Sequence, residues 1–241
     1  MKVLALDTSN RPLTVAILDD DRVLATESTT VHQKHAEYLL PIIDELFQKV
    51  GMKPKDLQRV VVANGPGSYT GIRIATATAK TLAYTLGIDL VSVSSLLTLA
   101  LNVQLEGSLV MPIFDARNNN VFTGLYKIEN GMPKAIINDQ HTDFDKWLSL
   151  VGSVDSNIYA VGETENFLDK LSENYGDNLK LLDQFDNLPQ AAKLGIYGQK
   201  QAPIKDIHSF VPNYLRLTKA EADWKKNNPE EEETSYVEKF D

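Results

Sequence analysis

The stretch of this 241-residue chain best suited to chemistry is Asn64-Gly65-Pro66-Gly67-Ser68-Tyr69-Thr70-Gly71-Ile72-Arg73. It follows an apolar strand pattern, Val60 to Ala63, and opens a helical one. Glycines in such a place let backbone N–H groups approach an anion, and the helix start adds the positive end of its dipole. The Gly-Lys-Ser/Thr that ends a P-loop is missing, and the dinucleotide fingerprint is not present either. The same residues also suit a tight turn whose glycines accept positive φ, with Ser68 or Thr70 capping the helix. The loop alone leaves both readings open.

Asp7 and Asp115 each close an apolar strand. An ATP-hydrolysing site needs carboxylates of this kind for magnesium, but aspartates at strand ends also simply cap turns. Such a site would further need a glycine pair in a second lobe to carry the adenosine, where Val161-Gly162-Glu163-Thr164 offers a single glycine. His32 and His35 lie three apart, near Glu37 and Lys34, and read as a solvated helix start more than as a metal pair. His141 and His208 stand alone, and no nucleophile sits beside a base. With no cysteine, disulfides, a thiol nucleophile and cysteine-ligated zinc are excluded. No catalytic residue and no metal site emerge from this reading.

The elements that would position these residues come in two similar series. Val3–Leu6, Leu13–Leu18 and Val23–Thr29 read as three strands joined by hairpin turns. A helix over about 32–50, the strand Val60–Ala63, a helix over about 70–86 and the strand Leu90–Val93 follow. The second series starts with Leu109–Phe114, turns at Asn118-Asn119-Asn120, and continues through Val121–Lys127 and Lys134–Asn138. Helices near 144–151 and 167–175 then alternate with strands Ile158–Val161 and Leu179–Leu182, and a helix near 190–199 closes the series. A β-β-β-α-β-α-β unit occurring twice predicts an α/β fold of two duplicated ribonuclease-H-like lobes, as in actin-like and sugar-kinase-like proteins. Topology by itself leaves two unrelated α/β lobes as an alternative. The expected division is a lobe over residues 1–105, with 211–224 packing back on it, a second lobe over 106–210, and an acidic tail over 225–241.

Composition narrows the role. With 43% hydrophobic and 24% charged residues the chain reads as an ordinary globular protein, long enough for two compact lobes of roughly 100 residues. No apolar run reaches the ~18 residues of a membrane span, and the N-terminus turns acidic too soon for a secretory signal, so a cytoplasmic location is expected. A net charge of −9 gives no overall basic footprint for gripping RNA phosphates. Four consecutive glutamates, Glu230 to Glu233, follow Pro229 in a polar stretch that cannot build a core.

Several segments together resemble the TsaB (YeaZ) family. They are Met1 to Ser9, His35 with Leu39-Leu40-Pro41, Gly65 to Arg73, Val93 to Leu96, Phe114-Asp115-Ala116-Arg117 and Tyr214-Leu215-Arg216. They run in order from residue 1 to about 224. The Gly-Pro-Gly loop is shared with the sister TsaD family, whereas the combination is specific to TsaB. The resemblance implies a non-catalytic subunit of the bacterial complex that forms N6-threonylcarbamoyladenosine in tRNA. Its partners would be a TsaD-like catalytic subunit and a TsaE-like ATPase, with a homodimer when alone and tRNA met only through the complex. TsaD-like chains carry two metal-binding histidines four apart after the strand that follows this helix; here those positions fall on Ser95 and Leu99. The resemblance therefore implies no cofactor of its own. It leaves room for weak ATP or ADP contact at a subunit boundary through Asp7, Gly65, Gly67, Ser68, Thr70 and Arg73. The rival classes are an actin-like or kinase-like ATPase and a glycoprotease-type metallopeptidase.

Two helices carry the expected partner contact. On the first, apolar residues including Leu39, Ile43 and Phe47 span an arc of roughly 160°, wider than one core contact needs. On the second, Ile72, Ala75, Ala79 and Leu82 can cover a sheet, while Ile74, Thr78, Thr81 and Thr85 form an uncharged opposite face. A helix with so little charge around it is buried on more than one side. The wheel allows either a partner or the chain's own second lobe as the cover, and the resemblance favours a partner.

Overall fold

A computed structural model describes residues 1–30 and 35–216. His32, residues 217–224 and the expected tail lie outside them. In chain order the elements are β1 (Lys2–Asp7), β2 (Leu13–Asp19), β3 (Arg22–Thr29), α1 (His35–Val50), β4 (Arg59–Ala63), α2 (Tyr69–Leu86), β5 (Asp89–Val93) and α3 (Ser95–Ala100). There follow β6 (Leu109–Arg117), β7 (Asn120–Glu129), β8 (Met132–Asp143), α4 (Phe144–Val151), β9 (Ile158–Gly162), α5 (Leu168–Tyr175), β10 (Leu179–Leu181) and α6 (Ala191–Gly198).

The strands form two sheets, ordered β3-β2-β1-β4-β5 and β8-β7-β6-β9-β10. The orders correspond strand for strand. In each, the first three strands are an antiparallel meander and the last two join the first strand in parallel. Leu6 is thus paired with Val15 on one side and Val62 on the other. In the second sheet Ile113 sits between Thr123 and Gly162. The repeat seen in the sequence is a repeat of topology.

Both faces of the first sheet are buried, which is why β1 reads as a continuous apolar run. Leu4, Leu6, Val15, Ile17, Val60 and Val62 face α1 and α2. Val3, Ala5, Ala16, Val61 and Ala63 face Ala191 and Leu194 of α6. In the second sheet, Met111, Ile113 and Ile158 pack with Phe144 and Trp147 of α4 and Leu171 of α5. Its other face takes Leu96 and Leu99 of α3 against Val110, Phe114 and Val161.

The two lobes therefore exchange helices: α3, which follows the first sheet, covers the second, and α6, which follows the second, covers the first. This corrects the expected division at residue 210. Gly195 and Gly198 let the backbone of α6 press onto Leu18 and Val61, where a Cβ would clash. Ile204, Ile207 and Phe210 continue over the first lobe's core. Arg59 fixes the end of α6, donating through one Nη to the carbonyls of Gly198, Gln199 and Gln201 at 3.1, 2.8 and 3.0 Å. Its other Nη pairs with Asp89 at 2.7 Å.

Three of the expected partner residues are corrected by burial. Leu39, Ile43 and Phe47 are 1%, 5% and 3% exposed and belong to the core beneath α1. The arc is wide because it extends past the core to Leu40, which is 57% exposed at its edge; Tyr38, 42% exposed, lies outside it. Pro41 lies inside α1 on its exposed side. Ile74 is half-buried against the same core. Thr78 is half-buried, while Ala77, Thr81, Tyr84 and Thr85 form an exposed, uncharged strip along α2.

Candidate functional site: the interlobe cleft and its glycine loop

The glycine loop is held from beneath by backbone. Ser68 donates its amide to the Ser9 carbonyl at 2.6 Å, and Thr8 Oγ1 donates to the Gly71 carbonyl at 2.8 Å. A Cβ on Gly67 would collide with the Ser9 carbonyl oxygen, and one on Gly71 with that of Thr8. Gly65, at φ +113°, has the Asn213 carbonyl oxygen 2.6 Å from where its Cβ would be. The Gly65 amide is taken by Ser95 Oγ at 3.0 Å, and the Gly65–Pro66 bond is cis. Ser68 caps α2 by accepting from Gly71 N. These glycines thus permit contact with the chain's own turn at residues 8–9 and its C-terminal segment.

Asp7 lies under the loop, 1% exposed and absent from the cleft wall. Its Oδ1 accepts from Ser9 N at 2.7 Å, and its Oδ2 is buried without a partner. Burial pushes its pKa up to about 6 despite the Ser9 hydrogen bonds. Thr70 is exposed at the start of α2. Arg73 projects along the outer side of α2, its Nε donating to Tyr214 Oη at 2.8 Å and its guanidinium lying 4.4 Å from the Tyr69 ring centre. Of the residues expected around the loop, Gly67 and Ser68 reach the cleft wall.

The cleft runs between the turns that follow β1 and β6. One arm, of about 710 Å³, is lined by Asn10, Arg11, Asp115, Gly162, Glu163 and Asn187 among others. The other, of about 630 Å³, is lined by Gly67, Ser68, Tyr69, Arg117, Asn118 and Arg216 among others. Arg11 Nε and Glu163 Oε1 bridge the lobes at 3.5 Å. Burial raises the Glu163 pKa, opposed by the Asp115 amide and Arg11. Asp115 accepts from Arg117 N at 2.7 Å and Asn166 Nδ2 at 2.9 Å.

Gly162, where the sequence offers one glycine for an adenosine, is already engaged. Asn187 accepts from its amide at 2.7 Å and donates to its carbonyl at 2.8 Å. Asn102 holds the same loop through the carbonyls of Asp186 and Leu188 at 2.7 and 2.8 Å. Ser95 and Leu99, the two positions compared above with a histidine pair of the sister family, are both fully buried, one under the glycine loop and the other in the core between α3 and the second sheet. His35 rests against the Asn10 carbonyl at 3.1 Å, and His208 packs on Tyr84. Among the described residues no group of three His, Cys, Asp or Glu side chains could hold a metal ion. None of their helices is long and apolar enough to cross a membrane.

Sequence reasoning missed Asn187, Asn102 and the Arg11–Glu163 bridge, all contacts between segments distant in sequence. It singled out Arg117 and the Asn118-Asn119-Asn120 turn that follows, but not that Arg117 and Asn118 line the cleft.

Two sheets of one strand order, facing across a cleft entered by the first hairpin turn of each, define an actin-like, ribonuclease-H-like two-lobed protein. The relatives agree. A family model described as TsaD: tRNA N6-adenosine threonylcarbamoyltransferase matches residues 25–224. The Bacillus subtilis (strain 168) tRNA threonylcarbamoyladenosine biosynthesis protein TsaB is 38% identical over 225 residues, 93% of this chain and 98% of the relative. YeaZ from Pseudomonas aeruginosa superposes with a TM-score of 0.76 at 24% identity, covering 89% of this chain and 99% of that one. The activator of 2-hydroxyisocaproyl-CoA dehydratase from Clostridium difficile, solved with bound ADPNP, shares the fold at a TM-score of 0.50 and 13% identity, covering 98% of this chain and 100% of that one. The chain belongs to the TsaB family of tRNA threonylcarbamoyladenosine biosynthesis proteins.

Proposed function

We propose that the chain is a non-catalytic subunit of the machinery that forms N6-threonylcarbamoyladenosine in tRNA, supporting a TsaD-type catalytic partner. The observation that carries this reading is Asn187 on Gly162: both backbone hydrogen-bonding groups of the one glycine suited to an adenosine are taken by the chain itself. Ser9 beneath Gly67 fills the phosphate side in the same manner. Any nucleotide contact is then weak and shared across a subunit boundary, through Ser68 and the cleft mouth.

The exposed strip of α2, Ala77, Thr81, Tyr84 and Thr85, is the surface offered to the partner. The same strip serves a homodimer when the chain is alone, and a TsaE-like ATPase joins the assembled pair. The complex is cytoplasmic. Purified chain is expected to hold no stoichiometric iron or zinc and to turn over ATP negligibly. ATP turnover abolished by Asp115→Asn would instead establish an actin-like ATPase. Bound metal lost on mutating His35 would support the peptidase class.

A further inference from the structure

Arg73, Arg117 and Arg216 are exposed, and among the described residues none of them makes an ion pair. Arg11 and Arg59, by contrast, are paired with Glu163 and Asp89. In a chain of net charge −9 the three outnumber the acidic groups of the adjoining cleft arm, Asp115 and the Glu163 that Arg11 pairs. Arg117 and Arg216 line the same arm of the cleft as Tyr69. Arg73 bridges Tyr69 and Tyr214, whose ring centres lie 5.1 Å apart and which are 44% and 39% exposed.

The tip that presents Arg117 is held by hydrogen bonds. Arg117, Asn118 and Asn119 have φ of +69°, +53° and +59°, a left-handed run of non-glycine residues that persists only where the surroundings over-determine it. Here Asn119 donates to Asp143 and Asp145 and accepts from Lys170. Asn120 donates to the carbonyls of Arg117 and Asn118.

Solvent-facing aromatic rings beside unpaired arginines match the chemistry of single-stranded RNA, whose bases stack on rings and whose phosphates take the charge. Arg73 and the ring pair cover part of these rings, and an acidic peptide would satisfy Arg117 and Arg216 but make no use of the ring surface that stays exposed. We propose that this ridge contacts a single-stranded segment of the RNA substrate, with bases on Tyr69 and Tyr214 and phosphates on Arg117 and Arg216. The inference rests on the tRNA-modification reading above, and it replaces the expectation that RNA reaches this chain only through other subunits.

The test uses the full chain assembled with its TsaD-type partner and a fluorescent RNA stem-loop, with anisotropy followed over a salt series. Replacing Arg117 and Arg216 together by alanine should weaken binding and flatten the log–log salt slope by about 1.4, at about 0.7 per phosphate lost from a single strand. Replacing Tyr69 and Tyr214 by leucine should weaken binding about tenfold with the slope unchanged. Light scattering on the same samples should show the complex intact. If the parent complex binds RNA and both variants match it in affinity and slope, the ridge proposal is overturned while the subunit reading stands. Variants that lose the partner instead would make the ridge a protein interface and overturn it too. A parent complex that binds no RNA would remove the subunit reading, and the ridge with it.

Discussion

Ser68 donates its amide to the carbonyl of Ser9 across 2.6 Å, pressing the glycine loop onto the turn that ends β1. Gly67 shares that contact, and a side chain there has nowhere to go but into the Ser9 carbonyl. Gly67→Ala is therefore expected to cost about 1–3 kcal/mol, as overpacking against backbone does. Because the loop sets the start of α2, partner affinity should fall with it. Differential scanning fluorimetry and a pull-down check both; a variant with parental stability that has lost only nucleotide affinity would identify the loop as a phosphate cradle.

Asp7 gives a pH dependence with a definite sign. Its folded pKa, about 6, lies above the 3.8 of an ordinary aspartate, so the folded state holds a proton that the unfolded chain releases. Stability contributed by the protonated form is complete below the unfolded value and declines as pH rises through about 6. Above that, the ionised carboxylate costs the fold about 3 kcal/mol. Asp7→Asn should thus be the more stable protein at pH 7.5, with the advantage vanishing towards pH 4. Urea unfolding at the two pH values measures it, and a variant less stable than the parent at pH 7.5 would contradict the burial argument.

Arg59 is expected to be the most sensitive position on the first sheet. Replacing it by methionine keeps the volume but strips three carbonyls at the end of α6 of their donor and Asp89 of its partner. A loss of about 2–4 kcal/mol is expected, with new proteolysis between residues 199 and 205. Unchanged protease resistance would mean that α6 is held by its apolar face alone.

Much of this fold was legible because hydrophobic periodicity is local. β1, β4 and β6 announce themselves as apolar runs ending in polar turns, and α4 was placed at its observed bounds. What periodicity cannot say is which sheet a helix covers. α6 was assigned to the second lobe by chain order, and the small Gly195 and Gly198 were the available sign that it lies close on something. α3 was missed because six residues are too few for a helical period, although Ser94 caps it by accepting from Leu96 and Leu97. In α1 the apolar arc is real but its use differs from the expectation: Leu39, Ile43 and Phe47 fill the core, and the exposed remainder is Leu40 at the edge. The cleft was the least legible part, since Asn187 on Gly162 joins residues 25 apart for which no pattern codes.

The uncharged strip of α2 is the physical basis of the proposed partner contact. Thr81→Arg puts a charge on an exposed position, so the isolated fold should change by no more than about 0.5 kcal/mol. In a desolvated contact the same unpaired charge should cost about 3 kcal/mol or more.

The deciding measurement is threonylcarbamoyladenosine formation on tRNA by the TsaD-type partner, assayed with parental chain, with Thr81→Arg chain and with none. Thr81→Arg should melt like the parent yet neither bind the partner nor support modification beyond the level seen without the chain. A folded Thr81→Arg chain that binds and supports modification normally would contradict the interface, and modification by the chain without its partner would contradict the non-catalytic role.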